Sequence, residues 1–223
     1  MASLRRGQGE FRKRFTLAHE IGHVIVYRSL THLGGPPQVK EALRCGAAGA
    51  ADRDEERVCD IIATELLMPR AQFLQKMEEV GVCAATIPQL SREFAVSLQA
   101  ASRRVAQLVG YELAVGLWTK GDESPRLIPK WYVTKDGGRR LECVIEPEDP
   151  GSACFTDRPV RGWHWIALQG HMEKYYVDIC PLGAAQRAWL LVVVFGNAAQ
   201  QILSSISGKR PATVMGQLPL WGE

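Results

Sequence analysis

His19-Glu20-Ile21-Gly22-His23 is the stretch of this sequence whose residue types and spacing are best suited to chemistry. On an α-helix, positions i and i+4 share a face. Two imidazoles at 19 and 23 can therefore reach one metal ion, and nitrogen ligands near ~2 Å suit zinc. Glu20 follows the first ligand and can sit beside a reacting water without ligating the metal. It would take the water's proton as the oxygen attacks a carbonyl, which is the work of a general base. Gly22 keeps the helix slim and leaves room for a close neighbour.

A catalytic zinc uses three protein ligands and one open position. The third ligand must come from another element. Glu56 and Asp60 again stand at i and i+4, on a second predicted helix. Glu56 is assigned to the metal, and Asp60 to the far nitrogen of a ligand histidine, which it would orient. Cys59 and Ala63 share that face and are small enough to let two helices meet. Val58, Ile62, Leu66 and Leu67 are expected to face the core. Asp52, Asp54, Glu55 and Glu65 compete for the third ligand position, with solvent exposure as their default role.

These residues need elements to hold them. Positions 15–29 read as a helix with Leu17, Ile21, Val24, Ile25 and Tyr27 as its apolar side and Thr16 as a cap. The Gly/Pro-rich stretch 31–49 reads as a mobile connection. A helix over 53–67 ends at Met68-Pro69, and another over 70–80 ends at Gly81. Two short helices, 88–94 and 98–109, flank the turn 95–97, with Ser97 as N-cap of the second. From Tyr111 the pattern changes to short β-rich runs: 111–118, 127–133, 140–145, 163–169, 174–179 and 189–195. A last helix is expected over 197–205.

The expected fold class is α+β. A small, mainly helical zincin-like domain (1–80) is followed by a helix-turn-helix-like segment (81–110) and a β-rich, mixed α/β domain (111–223).

The chain has 223 residues, 46% hydrophobic and 23% charged, with a formal net charge of +3. That is ordinary for a globular protein, and so mild an excess does not call for a nucleic-acid partner. Arg5, Arg6, Arg12, Lys13 and Arg14 read as a solvated basic arm. The first apolar stretch, 15–27, is broken by His19, Glu20 and His23, so it is no secretory signal. The run 188–195 is too short to span a bilayer. A cytoplasmic protein without membrane association is expected. Six cysteines stand at 45, 59, 83, 143, 154 and 180. None forms a C-x-x-C pair, so free thiols are expected, with a Cys143–Cys154 bridge left open.

The run 14–23 together with 56–69 resembles the ImmA/IrrE family of metallopeptidases. Its second motif reads roughly E-x-x-A-N/D-x-F-A-x-x-L-L-x-P; here Cys59 stands for the usual Ala and Ile62 for the usual Phe. The resemblance implies a gluzincin-like site with His19, His23 and Glu56 on Zn2+ and Glu20 catalytic. It implies a protein substrate, a helix-turn-helix transcriptional repressor cut in a stress or mobile-element response. Residues 89–97 resemble the helix-turn-helix-like part of such proteins. Larger members carry a C-terminal sensor-like domain of GAF type, and the resemblance implies that role for the β-rich half, though no motif in it carries the likeness. Family members often carry strands upstream of the first motif. Here fourteen residues precede Phe15, and the presence of that edge strand is left open.

DNA binding through 88–109, with Arg103 and Arg104 as contacts, is the weaker reading given the modest charge. His164 and His171 are expected to be structural or superficial. His32 and the tyrosines at 111, 132, 175 and 176 are minor candidates for an oxyanion donor. The alternative function is a non-catalytic regulator with a structural or vestigial zinc site.

Overall fold

The computed structural model describes residues 9–32, 50–120, 127–135, 155–168, 171–182 and 188–194. Within them lie helices α1 (Glu10–His32), α2 (Ala50–Leu67), α3 (Arg70–Val80), α4 (Ile87–Glu93) and α5 (Leu98–Leu108). The strands follow: β1 (Leu113–Lys120), β2 (Leu127–Thr134), β3 (Val160–Leu168), β4 (His171–Leu182) and β5 (Ala188–Val194). The architecture is α+β. Contacts divide the chain into two units, Met1–Phe73 with Phe94–Ser97, and Leu74–Glu93 with Leu98–Glu223.

In the first unit, α1 begins earlier than its apolar pattern suggests. The Gly9 carbonyl accepts the Arg12 and Lys13 amides at 2.9 and 3.2 Å, opening the helix there. Thr16 therefore lies inside the helix and caps nothing. Glu10 occupies the first turn, where the helix dipole favours a negative charge. Arg14 is no part of a loose arm. Its Nη1 donates to the Ala95 carbonyl at 2.7 Å and to that of Phe94 at 3.3 Å. Ala95 has a positive φ of 47°, and this guanidinium fastens the turn it makes.

Helices α1 and α2 pack along a seam of small residues. Ala18, Gly22, Cys59 and Ala63 are buried there. A methyl group added at Gly22 would meet Cys59 Cα at 3.0 Å and the Cys59 carbonyl oxygen at 3.1 Å. So close an approach leaves larger side chains outside the seam. Leu17, Ile21, Val24, Ile25 and Tyr27 are exposed, as are Val58 and Leu66, with Ile62 and Leu67 half-buried. The expectation that Val58, Ile62, Leu66 and Leu67 face the core is thereby corrected. Helical periodicity marks a face but does not say that anything covers it. At the far end of α2, the Glu65 carboxylate accepts the Arg70 amide at 3.1 Å, capping α3. Phe73 packs its ring 4.8 Å from that of Phe94.

In the second unit, α3 ends at Gly81, whose φ of 71° is the left-handed conformation that a helix C-terminus favours. The next turn is tied by Thr86. Its Oγ1 accepts the Cys83 amide at 3.0 Å, and its hydroxyl donates to the Gly81 carbonyl at 2.9 Å. Helix α5 packs on β1 and β2 and buries Ala101, Ser102, Arg104, Val105, Ala106 and Leu108. Arg104 is thus a buried residue, which corrects its placement on an open helix face. Arg103 is exposed.

The five strands form one antiparallel sheet in the order β2-β1-β5-β4-β3. Alternation sorts its side chains onto two faces. Ala114, Trp118, Leu127, Val177, Ile179, Trp189, Leu191 and Val193 make one core layer, joined by Tyr132, Phe155, Val160 and Tyr175. Gly116 lies beside Trp118 because any side chain at 116 would occupy the volume of the indole ring. Asp178 points to the opposite face, where its Oδ2 accepts the Ala84 amide at 2.8 Å. Arg161 stands 3.5 Å from its Oδ1.

Observed strands differ from the predicted ones mainly at their ends. The expected strand 140–145, helix 197–205, connection 33–49, and Cys45, Cys143 and Cys154 lie outside the described residues. Cys59, Cys83 and Cys180 are free thiols. Among the described residues, no helix is long and apolar enough to cross a membrane.

Candidate metal centre

The seam between α1 and α2 brings the histidines and the acidic residues together. The ring nitrogens His19 Nε2 and His23 Nε2 both face the Glu56 carboxylate, at 3.1 Å from Oε2 and 3.4 Å from Oε1 respectively. The two rings stand edge to face with centroids 4.9 Å apart. One ligand atom from each of His19, His23 and Glu56 falls within 4.8 Å of the others. The i, i+4 spacing on α1 and the Gly22 approach to Cys59 together produce this convergence.

The opposite edges of both rings are held as well. His19 Nδ1 lies 2.9 Å from Asp60 Oδ1, and His23 Nδ1 lies 3.0 Å from Glu55 Oε1. With hydrogens on the two Nδ1 atoms, each is donated to a carboxylate, and both Nε2 lone pairs turn toward Glu56. Lone pairs aimed at a carboxylate repel unless a cation lies between them. This donor set of two imidazole nitrogens and a carboxylate suits zinc. The residues present therefore fit the metal.

Asp60 lies beside His19 Nδ1, across the ring from Glu56. Glu55 lies beside the Nδ1 nitrogen of His23. Spacing alone could not reveal this, because positions 55 and 56 are neighbours on the helix and only the height of His23 along the seam decides between them. Glu65 is used as the cap of α3. Asp54 is exposed, and the side chain of Asp52 lies outside the described residues.

The electrostatics are strongly negative. Burial pushes the Cys59 thiol up to about 11, and the charges of Glu55, Glu56, Asp60 and Glu20 add to the shift. Glu20 thus lies within electrostatic reach of the seam and is partly buried there. Glu56 and Asp60 keep about half of their side-chain surface in solvent, 52% and 56%. The cluster is open on that side, as a reacting site must be.

Other candidates lie in the second unit. The Tyr111 hydroxyl is buried, and burial raises its pKa. Tyr175 donates to Glu173 at 2.7 Å. His164 is half-buried on β3, and burial together with Lys174 lowers its pKa. The side chains of His32 and His171 lie outside the described residues.

Residues 4–106 match the family described as IrrE N-terminal-like domain. The chain is 29% identical over 90 residues to the radiation response metalloprotease IrrE of Deinococcus radiodurans, a match that covers 40% of this chain and 26% of that protein. A Mycobacterium tuberculosis transcriptional regulator is similar in structure, with a TM-score of 0.48 and 14% identity over 96% of this chain and 65% of its own. The chain spans about a quarter of the curated relative it matches.

Proposed function

We propose that this chain, whose residues 4–106 match the IrrE N-terminal-like domain, is a zinc-dependent endopeptidase of the ImmA/IrrE family that cuts a regulatory protein. The observation that carries the reading is the convergence of His19 Nε2, His23 Nε2 and the Glu56 carboxylate. His19, His23 and Glu56 would hold the zinc, with Asp60 and Glu55 orienting the two rings. When bound, zinc supplies Lewis acidity toward a water and the scissile carbonyl. Glu20, next to the first ligand, accepts the proton of the attacking water on its carboxylate and returns it to the departing amine nitrogen.

The regulatory substrate we favour is a helix-turn-helix transcriptional repressor, cleaved in a stress or mobile-element response. Support comes from the family resemblance, since this part of the reading concerns a partner. The β-rich half from residue 111, which contains the five-stranded antiparallel sheet, would serve as a sensor-like domain of GAF type. Burial of Arg104 removes one of the two arginines on which DNA binding through 88–109 would depend.

Metal content by elemental analysis tests the site. About one zinc per chain, lost in Glu56→Ala, is the expected result. Little zinc in the intact chain counts against the reading. A repressor encoded beside this chain is the substrate to incubate with it, and its survival uncut by a zinc-loaded chain would reject the proposed cleavage.

A further inference from the structure

The seam contains a second donor set. One ligand atom from each of His23, Glu55 and Cys59 lies within 4.8 Å of the others. This set shares His23 with the set formed by His19 and Glu56, and shares nothing else. A neutral imidazole offers one lone pair, on one nitrogen only. His23 faces Glu55 with Nδ1 at 3.0 Å and Glu56 with Nε2 at 3.4 Å. With the proton on Nδ1, Glu55 accepts it and the lone pair on Nε2 serves the first set. With the proton on Nε2, it faces Glu56 and the lone pair on Nδ1 serves the second. The ring therefore serves one set at a time.

The two sets also differ in chemistry. The first has two imidazole nitrogens and a carboxylate. The second replaces one imidazole by a thiolate, and thiolates select soft cations. Cys59 is fully buried, but His23 and Glu55 retain 32% and 21% of their side-chain exposure, so the set opens to solvent on their side.

We propose that His23, Glu55 and Cys59 form an alternative site for a soft, thiophilic divalent cation such as Cd2+, which captures His23 and thereby disables the His19–His23–Glu56 site. The peptidase would carry a built-in sensitivity to such cations. The inference rests on the proposed zinc site only for what is displaced.

The test titrates the full-length, zinc-loaded chain with Cd2+ and reads two quantities. One is the thiolate-to-cadmium charge-transfer absorption in the ultraviolet; the other is bound zinc and cadmium by elemental analysis. Cys59→Ala, Glu55→Gln and Glu56→Ala are run in parallel, with circular dichroism as the check on folding. The expected result is about one cadmium per chain, with zinc released as the band grows. The band should vanish in Cys59→Ala and survive in Glu56→Ala, which keeps the second set. Glu55→Gln replaces an anionic ligand by a neutral amide and should bind Cd2+ more weakly than the intact chain, and this variant carries the test if Cys59→Ala does not fold. A band that persists in Cys59→Ala, an unchanged affinity in Glu55→Gln, or cadmium bound beside a full equivalent of zinc would overturn the proposal. An intact chain that takes no zinc yet shows the Cys59-dependent band would overturn only the reading of the first site.

Discussion

His19 Nδ1 sits 2.9 Å from Asp60 Oδ1, across the seam between α1 and α2. That one contact fixes the rotation of the His19 ring and turns its Nε2 toward Glu56. His23 has the same arrangement through Glu55. Each ring is thus oriented by a carboxylate one helical turn or less from the carboxylate that its other nitrogen faces.

Removing the orienting carboxylates should loosen the metal without removing a ligand. Asp60→Ala is expected to weaken zinc binding roughly 10–100-fold, the usual effect of losing a partner behind a ligand histidine. Asp60→Asn should lose less, because its amide oxygen can still accept the Nδ1 hydrogen. Zinc competition with a chromogenic chelator measures both. Equal affinity in the intact chain and Asp60→Ala would show that the contact does not orient a ligand.

Glu20→Gln separates binding from chemistry. The amide cannot accept the proton of the attacking water, so cleavage should fall by about 10²–10⁴-fold. Zinc per chain should be unchanged, because Glu20 lies outside the His19–His23–Glu56 set. Cleavage at the full rate in this variant would exclude Glu20 as the base.

Gly22→Ala tests the close approach of the helices. The added methyl would press on Cys59 Cα at 3.0 Å and on its carbonyl oxygen at 3.1 Å. Overpacking of this kind costs about 1–3 kcal/mol, measurable by denaturant unfolding. Those atoms are backbone, so trimming Cys59 to alanine in the same chain should not restore stability. Zinc affinity should fall too, since His19 and His23 would move away from Glu56.

Asp178 predicts a pH effect in the second unit. Its burial raises the carboxyl pKa, against the opposing effects of the Ala84 amide and Arg161. A group whose folded pKa exceeds its unfolded value stabilises the fold below the unfolded pKa, and that contribution is lost as pH rises through the folded one. The neutral isostere Asp178→Asn should therefore gain most on the native chain at neutral pH. The gap between their melting temperatures should narrow as pH falls through the carboxylate range. Asp178→Ala leaves the buried Ala84 amide without its acceptor and should cost about 1–3 kcal/mol at any pH. A gap that widens on acidification would contradict the raised pKa.

Much of this was legible in residue order. The pairs His19/His23 and Glu56/Asp60 are read from helical spacing alone, because i and i+4 share a face whatever surrounds the helix. The end of α3 at Gly81 and the strands of the β-rich half follow from equally local rules. Spacing could not show what lies opposite a face. It suggested a core beneath Val58 and Leu66, and these side chains are exposed because Gly22 and Ala63 let the helices meet backbone to backbone. It put Arg104 at the surface, where only the packing of α5 on β1 and β2 shows it buried. It left Glu55 among several acidic residues, until the offset of α1 along α2 set it beside His23. The sequence by itself determined which residues can share a helix face, since helix geometry is intrinsic to the chain. The tertiary structure alone decided which of those faces meet and at what height, since that depends on side-chain volumes from segments far apart in sequence.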